Sequence, residues 1–172
     1  MLWAERRATE MKAVAVPEDV VSFPLTLTSP GLAFRADLSL RGMRVKWDVG
    51  GFREGQFEVF LRRFIGAGEL GMSPSIFGHE VLRRAKKMTG SPTELWHALS
   101  LLENQEKIPD PQEGECLVFT ETVLTTSLVV SWNVNLYIPC LIWDERHKNW
   151  FLHTRLISSQ FDWRGRVVRL GG

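Results

Sequence analysis

Apolar and polar residues alternate most clearly over residues 32–48. Phe34, Ala36, Leu38 and Leu40 are apolar, with Arg35, Asp37, Ser39 and Arg41 between them. The parity then switches to Met43, Val45 and Trp47, separated by Arg44 and Lys46. A period of two marks a half-buried strand, and a parity switch marks a turn or a bulge. A two-residue turn at Arg41-Gly42 predicts a β-hairpin with Leu40 opposite Met43, Leu38 opposite Val45 and Ala36 opposite Trp47. A bulge at Gly42 within one long strand is the alternative.

Past Gly50-Gly51 the period lengthens. Phe57, Phe60, Leu61, Phe64 and Ile65 fall at helical spacing, Arg62 and Arg63 lie off that stripe, and Gly66 and Gly68 follow it. Ser73-Pro74 offers a cap and a first-turn proline to a second helix carrying Phe77, Val81, Ala85 and Met88, which Gly90 ends. Ser91-Pro92-Thr93-Glu94 has capping-box spacing and opens a third helix, with Leu95, Ala98, Leu99 and Leu102 on its buried face. Residues 103–115, with Pro109 and Pro111, read as a mobile surface loop. From Cys116 the strand period returns. Leu128, Val130, Trp132, Val134, Leu136 and Ile138 alternate with more polar residues, Asp144–Asn149 is a charged turn, and Trp150–Ile157 is the returning strand. The expected core is Leu38, Leu40, Met43, Val45, Phe57, Phe60, Leu61, Phe64, Val130 and Trp132.

The order of elements predicts an α+β fold: an N-terminal β-hairpin, about three short helices, then an antiparallel sheet with the helices on one side. Residues 1–31 hold Pro17, Pro24 and Pro30, which deny the segment a helix or a central strand, so it reads as a flexible proline-containing arm. Residues 32–160 then form the single α+β domain, and 161–172 a basic C-terminal tail.

Composition narrows the function classes. The 172 residues carry 21 Lys+Arg against 20 Asp+Glu, for a net charge of +1, so only a local patch could attract nucleic acid or membrane. Thr122–Trp143 has no charge, but its threonines, serines, asparagines and Pro139 suit strands of a soluble sheet better than a membrane span. The N-terminus is charged and lacks a secretory pattern, which leads to an intracellular expectation: not secreted, with no transmembrane helix. Cys116 and Cys140 read as two buried reduced thiols.

No pattern of residues points to catalysis. Cys140, Asp144, His147 and His153 lack zinc spacing, and the serines lack a nucleophile elbow. Gly66-Ala-Gly68-Glu-Leu-Gly71 spells G-x-G-x-x-G, but it follows an expected helix, whereas a dinucleotide fingerprint follows a strand. No cofactor, metal or small-molecule substrate is therefore expected. The positive signals are of another kind. Arg62, Arg63, Arg83, Arg84, Lys86 and Lys87 fall off the apolar helix stripes and predict a surface for an anionic membrane or RNA. Phe23, Pro24 and Leu25 of the arm, with Pro109 and Pro111 of the loop, are the candidate self-association residues. Seven tryptophans exceed what the expected core accommodates, and Trp143 and Trp150 flank the charged turn, where they either pair across the hairpin or form a sticky tip.

This order of parts resembles the matrix proteins of rhabdoviruses: an arm, the hairpin Leu32–Trp47, helices around Phe57–Ile65 and Phe77–Met88, the loop Ile108–Glu113, and tryptophan-containing strands over Trp132–Trp150. The arm departs from that family in having neither a PPxY sequence nor a lysine cluster. The resemblance implies a structural protein that self-associates through its arm and loop, binds membrane through basic residues and covers a nucleocapsid. The expectation is thus a non-enzymatic, homo-oligomeric structural protein. The alternatives are a small ligand-binding or enzymatic α+β domain, whose site would gather Asp144, His147 and His153 in one cleft, and a nucleic-acid-binding module using the basic patch.

Overall fold

In a computed structural model the structure describes residues 20–28, 43–48, 53–66, 69, 75–109, 111–126 and 135–171. These residues form an α+β fold. Eleven strands are β1 (Val20–Leu27), β2 (Met43–Asp48), β3 (Gly55–Arg63), β4 (Ser75–Phe77), β5 (Ser91–Pro92), β6 (Cys116–Val118), β7 (Thr122–Thr126), β8 (Leu136–Asp144), β9 (Asn149–Leu156), β10 (Gln160–Asp162) and β11 (Gly165–Leu170). The helices are α1 (Gly78–Ala85) and α2 (Leu95–Glu103), and a 3-10 turn follows at Gln105–Lys107.

Nine strands share one sheet, while β4 and β10 form a small second one. The large sheet is mixed: β11 pairs with β6 in parallel, and its other pairings are antiparallel. Strand β8 is the hinge of the layout. Tyr137 pairs with both Leu124 and Leu156, and Cys140 with both Val118 and His153, so β6 and β7 lie on one side of β8 and β9 lies on the other.

Both faces of the sheet are covered. Leu117 and Phe119 join one apolar cluster, with Leu95, Ala98, Leu99 and Leu101 of α2. Their neighbours Cys116 and Val118 join the other, with Val81 and Ala85 of α1. Successive strand residues point to opposite faces, so the two helices sit on opposite sides of the sheet. The expected one-sided arrangement is corrected accordingly.

Four further expectations change. Most of the stripe Phe57–Ile65 lies in a strand, because Val59 completes an alternation of Phe57, Val59 and Leu61 against Glu58, Phe60 and Arg62 that suits β3, and Phe64 and Ile65 follow its end. Of the expected core, Leu61 and Phe64 are buried, and Phe57 and Phe60 are half-buried. Within the expected arm, Val20–Leu27 is β1, antiparallel to β3, and Phe23, Leu25 and Leu27 are buried. Pro24 is tolerated because β1 has β3 as its one partner strand among the described residues. Within the expected tail, Gly165–Leu170 is a wholly buried interior strand between β3 and β6. The third helix starts later than its capping-box reading: Ser91-Pro92 pairs with β11, and Glu94 is the cap, with its backbone N–H donating to His97 Nδ1 at 3.1 Å.

The first strand of the expected hairpin, the turn at Arg41-Gly42, the Ser73-Pro74 cap and the alternation from Leu128 to Val134 lie outside the described residues. Among the described residues no helix is long and apolar enough to cross a membrane.

Candidate functional site

One surface with an exposed aromatic ring is built on the β8–β9 hairpin. Asp144 ends β8 and shapes the turn. Its Oδ1 accepts the backbone N–H groups of Arg146 at 2.9 Å and His147 at 3.2 Å, and its Oδ2 lies 2.6 Å from His147 Nδ1. Lys148 closes the turn with φ of 52°, and its amine pairs with Glu145. The His147 contacts hold the Asp144 carboxyl below its ordinary range, and the Lys148 contact does the same for Glu145.

The turn brings Trp143 and Trp150 into register, with ring centroids 5.6 Å apart and planes tilted by 60°. Trp150 is buried; its backbone N–H donates to Gln105 Oε1 at 2.8 Å, tying β9 to the 3-10 turn. The two tryptophans therefore pair across the hairpin. On the opposite face the next pair is Ile142 and Phe151, and here Phe151 remains 40% exposed. A depression of about 640 Å³ surrounds it, lined by Ile142, Trp143, Asp144, Arg146 and Arg164 among others. Arg164 is held over Gly114 by Asp162 at 2.6 Å and by the Glu113 carbonyl at 3.4 Å.

The six expected anion-binding residues fall on two elements, β3 and the end of α1. Arg62 and Arg63 are adjacent on β3, not on a helix. Arg62 lies over the Phe60 ring, whereas Arg63 donates to the Trp163 carbonyl at 2.6 Å and lies over the Trp163 ring. On α1, Arg83 and Arg84 both bind Glu80, at 2.6 and 2.8 Å, and Arg84 also binds Glu69 at 2.8 Å. The two guanidiniums depress the Glu80 pKa to about 2, with the Arg83 hydrogen bond the larger cause. Two carboxylates thus offset two of the four cations on and beside this helix. Lys86 and Lys87 remain exposed.

The expected self-association residues are also redistributed. Phe23 and Leu25 are buried, so their side chains hold β1 to its own domain. Pro24 is exposed and, with Leu25, Thr26 and Phe57, borders a depression of about 450 Å³. Pro109 and Pro111 are half-buried in the connection between α2 and β6.

Of the metal and enzymatic candidates, Asp144 and His147 are in contact at the turn. His147 is exposed at the turn, and His153 is exposed on β9 with its carbonyl accepting from Cys140 Sγ at 3.6 Å. Among the described residues no three His, Cys, Asp or Glu side chains converge. The Cys116 thiol and burial raise the Cys140 thiol well above its ordinary range, which leaves it protonated. The G-x-G-x-x-G segment follows strand β3 rather than a helix, but the Gly66 N–H donates to the Glu69 carboxylate at 3.0 Å, a position a phosphate would need.

Sequence reasoning did not pair Glu115 with Arg166 or place Arg166 and Arg169 in an interior strand. Glu115 and Arg166 form an ion pair at 2.8 Å with both side chains 6% exposed. The signal was present in Gly165–Leu170, where arginines interrupt an apolar run too short and too near the C-terminus to read as interior.

No protein-family model, curated protein or solved structure matches the chain.

Proposed function

We propose that the chain is a non-enzymatic self-assembly protein, in which the Phe151 face of the β8–β9 hairpin is the contact between copies. The carrying observation is Phe151, a large ring left 40% exposed beside Ile142 within a depression. The rim carries both signs of charge, Asp144 and Glu145 with Arg146 and Arg164. A patch holding both signs can be complementary to itself about a two-fold axis, each acid meeting the partner's base while the apolar centres pack. An aromatic anchor at the centre of such a patch is where binding energy concentrates.

The test is sedimentation velocity across concentration for the wild type and for Phe151→Asp. Self-association is expected in the wild type and at least about tenfold weaker in the variant, because central anchors cost about 2 kcal/mol or more when lost and about 1.4 kcal/mol is tenfold. Phe151 is a surface residue, so the melting temperature should stay within a few degrees. A wild type that remains monomeric throughout overturns the reading.

A matrix-like role at an anionic membrane is the second reading, and the exposed Lys86 and Lys87 at the end of α1 favour it. Two lysines contribute about 2 kcal/mol near such a surface, at about 1 kcal/mol each. Cosedimentation with phosphatidylserine vesicles should then fall sharply with salt and disappear in Lys86→Ser/Lys87→Ser. Binding to RNA in place of vesicles under the same conditions would favour nucleocapsid contact instead.

A further inference from the structure

Two arginines on one face of the sheet form no ion pair among the described residues. Arg169 on β11 pairs in register with Phe60 of β3, and Arg62 stands two residues further along β3, so both side chains leave the same face. Arg169 is 5% exposed. One of its terminal nitrogens donates to the carbonyls of Gly90 at 2.7 Å and Met88 at 3.2 Å, which fixes the plane of the guanidinium. Its Nε is buried with no hydrogen-bond partner, and the same holds for Arg62 Nε. Arg62 is half-buried, with its guanidinium held 5.2 Å from the centroid of the Phe60 ring.

Neither guanidinium has a carboxylate within ion-pair distance among the described residues, although every other arginine of α1 and β11 does. Burial pulls the Arg169 pKa down, the Glu121 carboxylate opposes it, and the Arg62 charge adds a smaller downward pull. Two like charges drawn partly out of water repel each other, and buried donors without acceptors add to the cost. An oxyanion removes both penalties at once. Its oxygens accept from guanidinium forks in short charge-assisted hydrogen bonds, and its charge cancels the repulsion.

We propose that Arg62 and Arg169 form a binding site for a single phosphate group, presented on the sheet face beside the Met88–Gly90 turn. Arg169, locked by two backbone carbonyls, is the fixed wall of the site. Arg62, resting on Phe60, is the part that adjusts to the ligand. Sequence alone separates these residues by more than a hundred positions, and β3–β11 pairing brings them together.

The experiment uses the full chain. Inorganic phosphate is titrated against it by calorimetry and by thermal melting, with chloride at matched ionic strength as the control. Saturable binding and a rise in melting temperature beyond the chloride control are expected in the wild type. Arg62→Gln should weaken phosphate binding by about tenfold or more, since it removes one charge-assisted partner, without lowering the melting temperature in chloride. Arg169→Gln also loses the bonds to Gly90 and Met88, so Arg62→Gln is the deciding variant. Parallel flotation with phosphatidic acid vesicles separates the sources of the group: retention by vesicles in an Arg62-dependent way assigns it to a lipid headgroup, and binding of free phosphate alone assigns it to a soluble ligand. Wild type that gains nothing from phosphate over chloride, or Arg62→Gln that gains as much as wild type, overturns the proposal.

Discussion

Leu25→Ala tests whether β1 belongs to the domain. Leu25 pairs in register with Phe57, is 3% exposed, and shares a cluster with Val59, Leu61 and Leu170. The substitution removes about three carbon groups at roughly 0.8 kcal/mol each, and the cavity adds to this, which gives the usual range of about 2–5 kcal/mol. Strand β1 has β3 as its one neighbour in the sheet among the described residues. It can shift to close part of the void, so the lower half of the range, about 2–3 kcal/mol, is expected. At about 2–4 °C per kcal/mol for a chain of this size, the melting temperature should fall by about 4–12 °C. Urea unfolding followed by tryptophan fluorescence reads the change. Thr26→Ala is the internal control: Thr26 is exposed on the same strand and should move stability by no more than about 0.5 kcal/mol. A Leu25→Ala cost below about 1 kcal/mol, indistinguishable from Thr26→Ala, would show that β1 is detachable and would return Phe23, Pro24 and Leu25 to a contact between copies.

Two further predictions address the other face of the sheet. A Cβ at Gly165 would lie 2.2 Å from Phe64 Cζ, and Phe64 is itself buried edge-on against Phe161 at 6.2 Å, so Gly165→Ala should cost about 1–3 kcal/mol or more by thermal melting; an unchanged melting temperature would mean the Phe64 ring does not occupy that place. Glu80 should titrate near pH 2 by carboxyl NMR, and Arg83→Gln should raise that midpoint toward the ordinary 4.5. Because the folded-state pKa is depressed, the contribution of Glu80 to stability is present above pH 4.5 and is lost as pH falls toward 2; wild type should therefore lose more stability than Glu80→Gln over that window, and a wild-type midpoint near 4.5 would refute the network.

What the sequence conveys and what it conceals differ by mechanism. The β8–β9 hairpin was legible because its signals are local: alternation, a charged turn, and tryptophans at matching distances from it, which the structure places in register. The stripe over Phe57–Ile65 was ambiguous because aromatic and branched residues at 57, 59, 60, 61, 64 and 65 satisfy a helical face and a strand face alike. Sheet pairing decided between them: β3 lies between β1 and β11, and only an extended chain can bond to both. The basic cluster on α1 was legible as charge but not as net charge, since Glu69 approaches Arg84 through a turn that no helical spacing predicts.

Strand β11 shows why the candidate anion site could not be read from the chain. Arg164–Arg169 has the composition of a solvated tail, and its three arginines meet three different fates that depend on parity and neighbours. Arg164 lies before the strand and binds Asp162 beside the hairpin depression. Arg166 points to one face, where Glu115 neutralises it in the interior. Arg169 points to the other, where backbone carbonyls of the α1–β5 connection orient it and Arg62 stands nearby. An interior strand admits arginine only where something compensates the charge. Glu115 does this for Arg166. For Arg169 the carbonyls supply dipoles and Glu121 attracts it without forming an ion pair, and that difference between two arginines three residues apart is the physical reason to look for an anion at one and not at the other.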